Sequence, residues 1–201
     1  MPCMIPENHL VLAGLVWCEP VTVLTDGMLA LLCLALLPRH RGMARGFFAL
    51  AAVAFALGGL RHLVGAEWPG LVPALSRASN TANSLSLALL LRAAVPWGQR
   101  GRAVIVAGTG AVIIGHLWLD HFLLSVLHST AAFTTILAAS RHQHHAFYWF
   151  YSSFALSLLA GITFGLVLAP ATFFNHNDLA HLLLMGAYVA LHRQLRVTSA
   201  G

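Results

Sequence analysis

Histidines and carboxylates recur near the ends of the apolar segments of this chain. The 201 residues include six acidic residues, of which those after Glu7 are Glu19, Asp26, Glu67, Asp120 and Asp178. We predict that these five acids lie near one face of the membrane and that five of the twelve histidines lie on the same side. These histidines are His62, His116, His121, His176 and His181. Neutral imidazole is a common zinc ligand, and a neighbouring carboxylate can orient it. Ionisable residues in or beside apolar segments are costly and usually functional, so this set predicts a metal or proton site.

The most specific local pattern is the segment 173–181, which reads FFNHNDLAH. A helix turns about 100° per residue, so His176 and His181 do not share a face if both are helical. They converge if His176 lies in the turn that leads into the helix, with Asp178 near the helix N-terminus. Whether His176 or Asn177 faces the site stays open at this point. The alternative interpretation is a helix cap that carries one interfacial histidine.

His62 ends the second apolar segment, directly after Gly58-Gly59-Leu60-Arg61. Two adjacent glycines permit another helix to approach closely. At the depth of the histidines of segment 173–181, His62 would supply a third metal ligand. The alternative for His62 alone is an interfacial histidine held by hydrogen bonds.

A further cluster contains His116, Asp120 and His121. His116 and Asp120 are four residues apart and therefore share one face of a helix. The cluster is either a carboxylate–histidine arrangement that orients a metal ligand or a polar turn with nothing bound. Among the acids, Glu67, Asp120 and Asp178 are the candidates for a catalytic acid or base.

The first and third apolar segments also carry polar residues. Glu19 precedes Pro20, which is typical of a helix start, and Asp26 lies deeper, where it needs a histidine, an arginine or a cation as partner. These two acids suggest a second cation. The third segment has a stripe of small polar residues, which we expect to face the bundle interior and to form interhelical hydrogen bonds. Ser79 and Asn80 in this stripe are the candidates for ligand contact.

The composition excludes a water-soluble domain. Hydrophobic residues make up 59% of the chain and charged residues 8%, and the mean hydropathy is +0.79. A spanning helix needs roughly 20 mostly apolar residues, and the loops here are short. We therefore predict an all-α membrane protein with a single transmembrane domain over residues 1–201. Its seven predicted transmembrane helices lie near 20–37, 46–64, 74–95, 103–119, 122–140, 146–168 and 177–193.

Arginine placement predicts the orientation. All eleven basic residues are arginines between or beside the apolar segments, which favours membrane topology over nucleic-acid binding. With seven spans, nine arginines share one side and only Arg61 and Arg77 lie on the other. The N-terminus is then outside and the C-terminus cytoplasmic. His40 and His192 lie beside the nine arginines, where we expect both to be solvated. The all-arginine set also suggests a GC-rich bacterial genome, and hence a bacterial inner membrane.

These features resemble the superfamily of seven-span membrane hydrolases that contains the alkaline ceramidases and the progestin and adiponectin receptors. In that superfamily one histidine of the second helix and two from the start of the seventh bind zinc, and His62, His176 and His181 match in order, helix and depth. The sequence Trp-Cys-Glu at 17–19 also resembles the start of alkaline ceramidases. The chain departs from the pattern because Gly58 replaces a serine, the two later histidines are five rather than four apart, and the third segment lacks an aspartate.

The resemblance implies a zinc-dependent intramembrane hydrolase that acts on a membrane lipid amide or ester. The departures would displace its catalytic acid or base to one of the three carboxylates named above. Two other functions are consistent with the residues. One is a non-catalytic protein that binds a metal or a lipid. The other is a haem-binding or proton-relay protein in which His62 faces His181.

Overall fold

The computed structural model describes residues 9–12, 15–119, 122–140, 144–167 and 174–199. Within them, a short antiparallel hairpin of β1 (His9–Leu12) and β2 (Leu15–Cys18) precedes the helices. The seven α-helices of the described residues are α1 Pro20–Leu36, α2 Gly42–Val64, α3 Val72–Ala94, α4 Gln99–Leu119, α5 Phe122–Ser140, α6 His144–Gly165 and α7 His176–Ser199. All seven predicted segments are confirmed as helices. The hairpin was not predicted, because its apolar run is too short to distinguish a strand from a helix.

Three helical segments of the described residues are long and apolar enough to cross a membrane. They are 20–39, 42–64 and 99–119, and the first includes the 3-10 turn Leu37–Arg39 that continues α1. The apolar part of α5, residues 124–140, is shorter. These helices indicate a membrane protein.

The polarity of α1 is that of a helix surrounded by hydrocarbon. Its outer face exposes Leu24 and Leu31 by 60% and 66%, whereas Thr22 and Asp26 are buried. In a water-soluble bundle this distribution would be reversed. Lipid favours it, because apolar side chains can face the bilayer only if polar side chains pair inside the bundle.

Packing of α1 against both α2 and α7 positions the site. The core between α2 and α7 is aromatic, with the Tyr188 ring 5.4 Å from that of Phe47 and 6.3 Å from that of Phe48. All three rings are buried. This packing brings the start of α1, the end of α2 and the start of α7 to the same end of the bundle.

The polar stripe of α3 faces the interior as predicted. The predicted stripe residues Ser76, Ser79, Asn80 and Asn83 all line an interior cavity, and Ser79 Oγ donates a hydrogen bond to the carbonyl oxygen of Ala54 in α2 at 2.8 Å. The expected interhelical hydrogen bonding is therefore confirmed for Ser79. This contact also fixes the distance between α2 and α3 beside the site.

The prediction that His40 and His192 are solvated was wrong. Their exposed fractions are 5% and 7%, and His40 Nε2 lies 2.8 Å from His192 Nδ1. The His40 ring also stacks on Phe48 with 4.7 Å between centroids. The connection after α1 folds against the last turns of α7, a long-range contact that no local pattern reports.

Candidate histidine–carboxylate site

Helix α7 begins with a capping motif formed by Asn175 and Asp178. Asn175 Oδ1 accepts hydrogen bonds from the backbone N–H groups of Asn177 (2.7 Å) and Asp178 (3.3 Å). In return, Asp178 Oδ2 accepts from the backbone N–H of Asn175 at 2.8 Å. This reciprocal capping satisfies N–H groups that a helix start leaves without partners. The helix-cap alternative is therefore confirmed for this segment.

The same cap ties α7 to α1 through Thr22. Thr22 Oγ1 donates to Asp178 Oδ1 at 2.8 Å and accepts from Asn175 Nδ2 at 3.4 Å. Asp178 is fully buried, so both of its oxygens serve hydrogen bonds inside the bundle. The contacts of this predicted acid or base are those of a helix anchor.

His181 lies in the second turn of α7, and its two ring nitrogens have different partners. Nδ1 is 2.9 Å from Thr25 Oγ1, which itself lies 3.1 Å from the carbonyl oxygen of Thr22. If Thr25 donates to the Thr22 carbonyl, it accepts the Nδ1–H of His181 and the ring lone pair is on Nε2, whereas if Thr25 donates to Nδ1, the proton is on Nε2. That Nε2 lies 3.4 Å from Asp26 Oδ1. In the first tautomer two hydrogen-bond acceptors face each other, and in the second Nε2 donates to the Asp26 carboxylate.

Asp26 reaches this position because two glycines of α2 leave room for it. A Cβ atom on Gly58 would lie 3.1 Å from Asp26 Oδ2, and one on Gly59 would lie 3.2 Å from Asp26 Cβ. Both distances are shorter than ordinary van der Waals contact. The predicted close approach at the glycine pair is confirmed. Where the resemblance expects a serine at position 58, the Asp26 carboxylate fills the adjacent space.

His62 is held between a cation and a carboxylate. Its Nε2 lies 2.8 Å from an Arg61 Nη atom, and since guanidinium only donates, Nε2 is the acceptor and Nδ1 carries the proton. Nδ1 lies 3.4 Å from Glu19 Oε2. A carboxylate at the protonated nitrogen and a cation at the other is the pattern of a metal-binding histidine, here with Arg61 as the cation.

Glu19 holds its position in a strained backbone conformation. Its φ of 52° and ψ of 62° lie in the left-handed region, which costs a residue other than glycine about 1–3 kcal/mol. The residue is buried, and Asn177 Nδ2 donates to its Oε2 at 3.1 Å. Strain of this kind persists only where surrounding contacts fix it, and it is typical of functional sites.

A cavity of about 530 Å³ opens beside these groups. Its charged and amide-bearing end is formed by Asp26, Arg61, His62, Asn177 and His181. Small polar side chains from α3 and α5 continue the wall, and they include Ser76, Ser79, Asn80, Asn83, Ser125 and Ser129. Much of the remaining lining is apolar, with Phe55, Leu87, Phe133, Phe154, Leu158 and Leu184. A titratable end, a polar strip and an apolar wall are the usual parts of a small-molecule site.

The structure brings together two of the three predicted zinc ligands. His62 and His181 line the cavity, whereas the His176 ring packs edge-on against Phe164 with 5.3 Å between centroids. At the start of α7, Asn177 lines the cavity, so Asn177 rather than His176 is the residue that faces the site. Within the described ranges, no group of three His, Cys, Asp or Glu side chains is arranged to hold one metal ion. The predicted triad is therefore not gathered around one point there.

Glu67, a second predicted acid or base, lies outside the cavity lining. It is exposed, and its Oε1 accepts a hydrogen bond from the backbone N–H of Val16 at 3.4 Å. This contact joins the loop after α2 to β2. It is a structural link between the hairpin and the bundle.

His116 lies behind the cavity wall. It is fully buried, and its Nε2 is 3.3 Å from Ser125 Oγ, which also lies 3.3 Å from Asn80 Oδ1. This histidine, which was predicted to orient a metal ligand or contact a substrate, thus contacts a cavity-lining serine, and through it Asn80. Its predicted partners Asp120 and His121 lie outside the described residues.

Two residues that hold the site together were not predicted, Thr22 and Thr25. Glu19, Thr22 and Asp26 are spaced by three and four residues, so they share one face of α1. That spacing was a usable signal. It was missed because threonine is common in membrane helices without any role in a site.

His62, His181 and Asp26 carry donor types that zinc takes, but only the His181–Asp26 pair is close, and no three such groups of the described residues surround one point. Zinc–nitrogen and zinc–oxygen bonds of about 2.0–2.2 Å place neighbouring ligand atoms of a tetrahedral site roughly 3.3–3.5 Å apart. His181 Nε2 and Asp26 Oδ1 are 3.4 Å apart. Two imidazoles and one carboxylate are an established zinc ligand set. Glu19 and Asp26 face different histidines, so a second cation between them stays a prediction.

Comparison with known proteins identifies a family. The model of a family of unknown function (DUF6962) matches residues 21–198. No curated protein and no solved structure matches the chain. The match includes nearly all of α1 and α7 and the whole of α2, which are the helices that build the site.

Proposed function

We propose that this chain, which belongs to the family of unknown function DUF6962, is a zinc-dependent intramembrane hydrolase of a lipid amide or ester. The single observation that carries the proposal is the contact between His181 Nε2 and Asp26 Oδ1 at 3.4 Å. Both atoms are acceptors when the His181 proton is on Nδ1, and both residues line the cavity that His62 also lines. Buried acceptors need a proton or a cation between them.

His62, His181 and Asp26 would hold the zinc ion only after a rearrangement, because among the described residues no three such side chains already converge on one point. This set replaces the one implied by the resemblance, because Asp26 takes the part assigned there to His176. Zinc, when bound, acts as a Lewis acid towards a carbonyl group and towards water. Every other part of the proposed chemistry belongs to side chains of the chain.

Glu19 and Thr25 are the positioning residues. Each accepts the Nδ1–H of one histidine, Glu19 from His62 and Thr25 from His181. They thereby direct both Nε2 lone pairs away from those partners and fix the tautomers. Asn177 donates to Glu19 and keeps its carboxylate oriented.

Arg61 would act as the electrostatic partner of the substrate. Its guanidinium occupies the Nε2 atom of His62 and lines the cavity. For His62 Nε2 to bind a metal ion, the Arg61 guanidinium must leave Nε2 and turn towards the cavity. There its N–H groups would stabilise negative charge on a carbonyl oxygen during hydrolysis.

The cavity favours a lipid substrate. Its apolar wall suits an acyl chain, and the polar strip that includes Ser79 and Asn80 suits the amide, ester or hydroxyl groups beside the scissile bond. The chain would cross the membrane seven times with the N-terminus outside, in a bacterial inner membrane. The site would then open near the outer leaflet.

Zinc content tests the proposal. Protein purified in an uncharged detergent should contain about one zinc per chain, and His181→Ala and Asp26→Asn should lose it. His176→Ala should keep its zinc, and so should His192→Ala at the far end of the same helix. Far-UV circular dichroism checks that each variant is folded. Folded wild-type protein that stays free of zinc after incubation with the ion contradicts the proposal.

Activity is measured on a panel of fluorescent lipid amides and esters. Glu19→Gln should weaken zinc binding about 10- to 100-fold, as expected for loss of a carboxylate that orients a ligand. Turnover should fall in parallel and recover with added zinc. If Glu19→Gln changes neither quantity, the assignment of Glu19 is wrong.

The same acceptor pair favours a second candidate function. A proton shared by His181 and Asp26 also satisfies the contact, which corresponds to a non-catalytic lipid-binding protein or to a proton relay. Such a protein is folded without metal and does not hydrolyse lipids. An absorption spectrum of the same preparation tests haem ligation by His62 and His181 through its Soret band.

A further inference from the structure

A second cavity lies at the opposite end of α1 and α7. Its volume is about 730 Å³, and it lies between α1, α6 and α7. Apolar residues line one part of it, namely Leu32, Leu36 and Val189. Polar and aromatic residues line the other, namely Arg39, Trp149, His192, Arg193 and Arg196. We call it the arginine groove.

The charge of the arginine groove is of one sign. Three guanidinium groups line it, and the described carboxylates Glu19, Asp26, Glu67 and Asp178 lie elsewhere. Both ion pairs within the described residues are at the histidine–carboxylate site. An arginine cluster without carboxylates attracts an anion, and guanidinium matches phosphate in shape and hydrogen bonding.

Trp149 and His192 shape this charged end. Arg193 Cζ lies 5.2 Å from the centre of the Trp149 ring, which holds the guanidinium by a cation–π contact. His192 forms a hydrogen bond with the buried His40. Burial, and then the neighbouring His192 and Arg196, lower the pKa of His40 to about 4. His40 is therefore neutral at pH 7. The histidine pair offers a hydrogen-bonding wall beside the three arginines.

The apolar part of the groove distinguishes a lipid from a water-soluble anion. Leu32 and Val189 line the groove, and Val189 is 40% exposed. One turn along the same face of α1 from Leu32, Met28 is exposed by 53%. An acyl chain can therefore run from the groove along α1. A water-soluble phosphate has no apolar chain to bury on this surface.

We propose that the arginine groove binds the phosphate group of an anionic phospholipid. Arg39, Arg193 and Arg196 contact the phosphate, and an acyl chain packs on Leu32 and Val189. Basic pockets between membrane helices on the arginine-rich side are suited to such headgroups. The groove does not contact the zinc site, so this inference is independent of the proposed hydrolase.

Titration of the purified full-length protein in an uncharged detergent tests the proposal. The probe is dioctanoyl phosphatidylglycerol, and the readouts are the melting temperature and native mass spectrometry. Dioctanoyl phosphatidylcholine and glycerol 3-phosphate are the comparison compounds. The first has the same chains with a zwitterionic headgroup, and the second has the phosphate without chains.

The test variant is the double substitution Arg193→Gln with Arg196→Gln. Its matched control is Arg92→Gln with Arg100→Gln, which removes the same charge from exposed positions away from the groove. Phosphatidylglycerol should raise the melting temperature of the wild type and of the control. In the groove variant its apparent affinity should fall roughly tenfold to thirtyfold.

Three results would overturn the inference. Equal affinity losses in both double variants would indicate a general charge effect. Equal binding of phosphatidylcholine would show that the anionic headgroup is not recognised. A full response to glycerol 3-phosphate alone would assign the groove to a water-soluble phosphate. If the groove variant does not fold, Arg39→Gln and Arg193→Gln are measured singly against Arg92→Gln, with the same expected direction.

Discussion

The two ends of the α1–α7 pair differ in how their charges are balanced. At the histidine–carboxylate end, Glu19, Asp26 and Asp178 each contact a histidine, a hydroxyl or an N–H of the protein. At the arginine end, three guanidinium groups line a groove that contains no described carboxylate. At the first end each carboxylate has a partner within the bundle. The second end is open to an external anion.

This difference separates two ways of placing charge in a membrane protein. Helix α1 has 17 residues, so the two ends are about 25 Å apart, close to the thickness of the hydrocarbon core. Charges at the first end are enclosed by three helices and depend on one another. Charges of the arginine groove lie near an interface, where water and headgroups solvate them. Substitutions should therefore be more costly at the first end.

The largest effect on stability is expected for Asp178→Ala. Thr22 Oγ1 and the backbone N–H of Asn175 would lose their buried acceptor, and the cap of α7 would be lost. The free energy of unfolding should fall by about 2–4 kcal/mol, measured by SDS-induced unfolding and circular dichroism. Arg39→Gln at the exposed arginine end should change it by less than about 0.5 kcal/mol. Similar losses in both variants would contradict the proposed contrast.

Helix approach at the first end is tested by Gly59→Ala. The new Cβ would meet Asp26 Cβ at 3.2 Å, and this atom is tethered to the backbone of α1. The variant should lose about 1–3 kcal/mol in the free energy of unfolding, and its affinity for the proposed zinc ion should fall. Gly108→Ala in α4 is the matched control, because its Cβ meets nothing within 4 Å. A neutral Gly59→Ala variant would show that α1 and α2 do not depend on this contact.

The pH dependence of stability tests the arginine end through His40. Burial lowers the pKa of His40 from 6.5 to about 4, so the unfolded chain binds a proton at higher pH than the folded chain. Above pH 6.5 the neutral His40 makes its full contribution to the free energy of unfolding. That contribution is lost progressively as the pH falls towards 4. Between those values we expect a loss on the order of 1–2 kcal/mol, seen as a lower melting temperature. His40→Gln should remove this part of the pH dependence, and an unchanged profile would refute the assignment.

The smallest effect is expected for Trp149→Leu. The substitution removes the ring that holds the Arg193 guanidinium at 5.2 Å. An exposed cation–π contact is worth about 0.5–1 kcal/mol, so affinity for dioctanoyl phosphatidylglycerol should fall about twofold to fivefold. Trp68→Leu, at an exposed tryptophan outside the groove, is the control. An equal loss in both variants would indicate a general effect of removing tryptophan.

Much of the fold was predictable because it depends on local pattern. Long apolar runs placed the seven helices, and the spacing of small polar residues predicted which face of α3 turns inward. The glycine pair at positions 58 and 59 predicted a close helix approach. For each of these features the periodicity of one segment is sufficient information.

The candidate site was predictable in its residue types and only partly in its partners. Glu19, Asp26, His62 and His181 were all singled out, but the pairing of each acid with a particular histidine was not. His176 was named as a metal-ligand candidate, and its ring packs against Phe164. The burial of His40 against His192 was likewise missed.

The sequence by itself determined the helical segments, the chemical groups available at each end and the placement of the arginines between and beside the apolar segments. The tertiary structure decided which groups meet. Thr22 and Asp178 are separated by 156 positions, and their 2.8 Å hydrogen bond depends on the rotation and depth of α1 against α7. One residue of helical rotation, about 100°, would turn either side chain away. That rotation is set by packing across the whole bundle, which no local pattern contains.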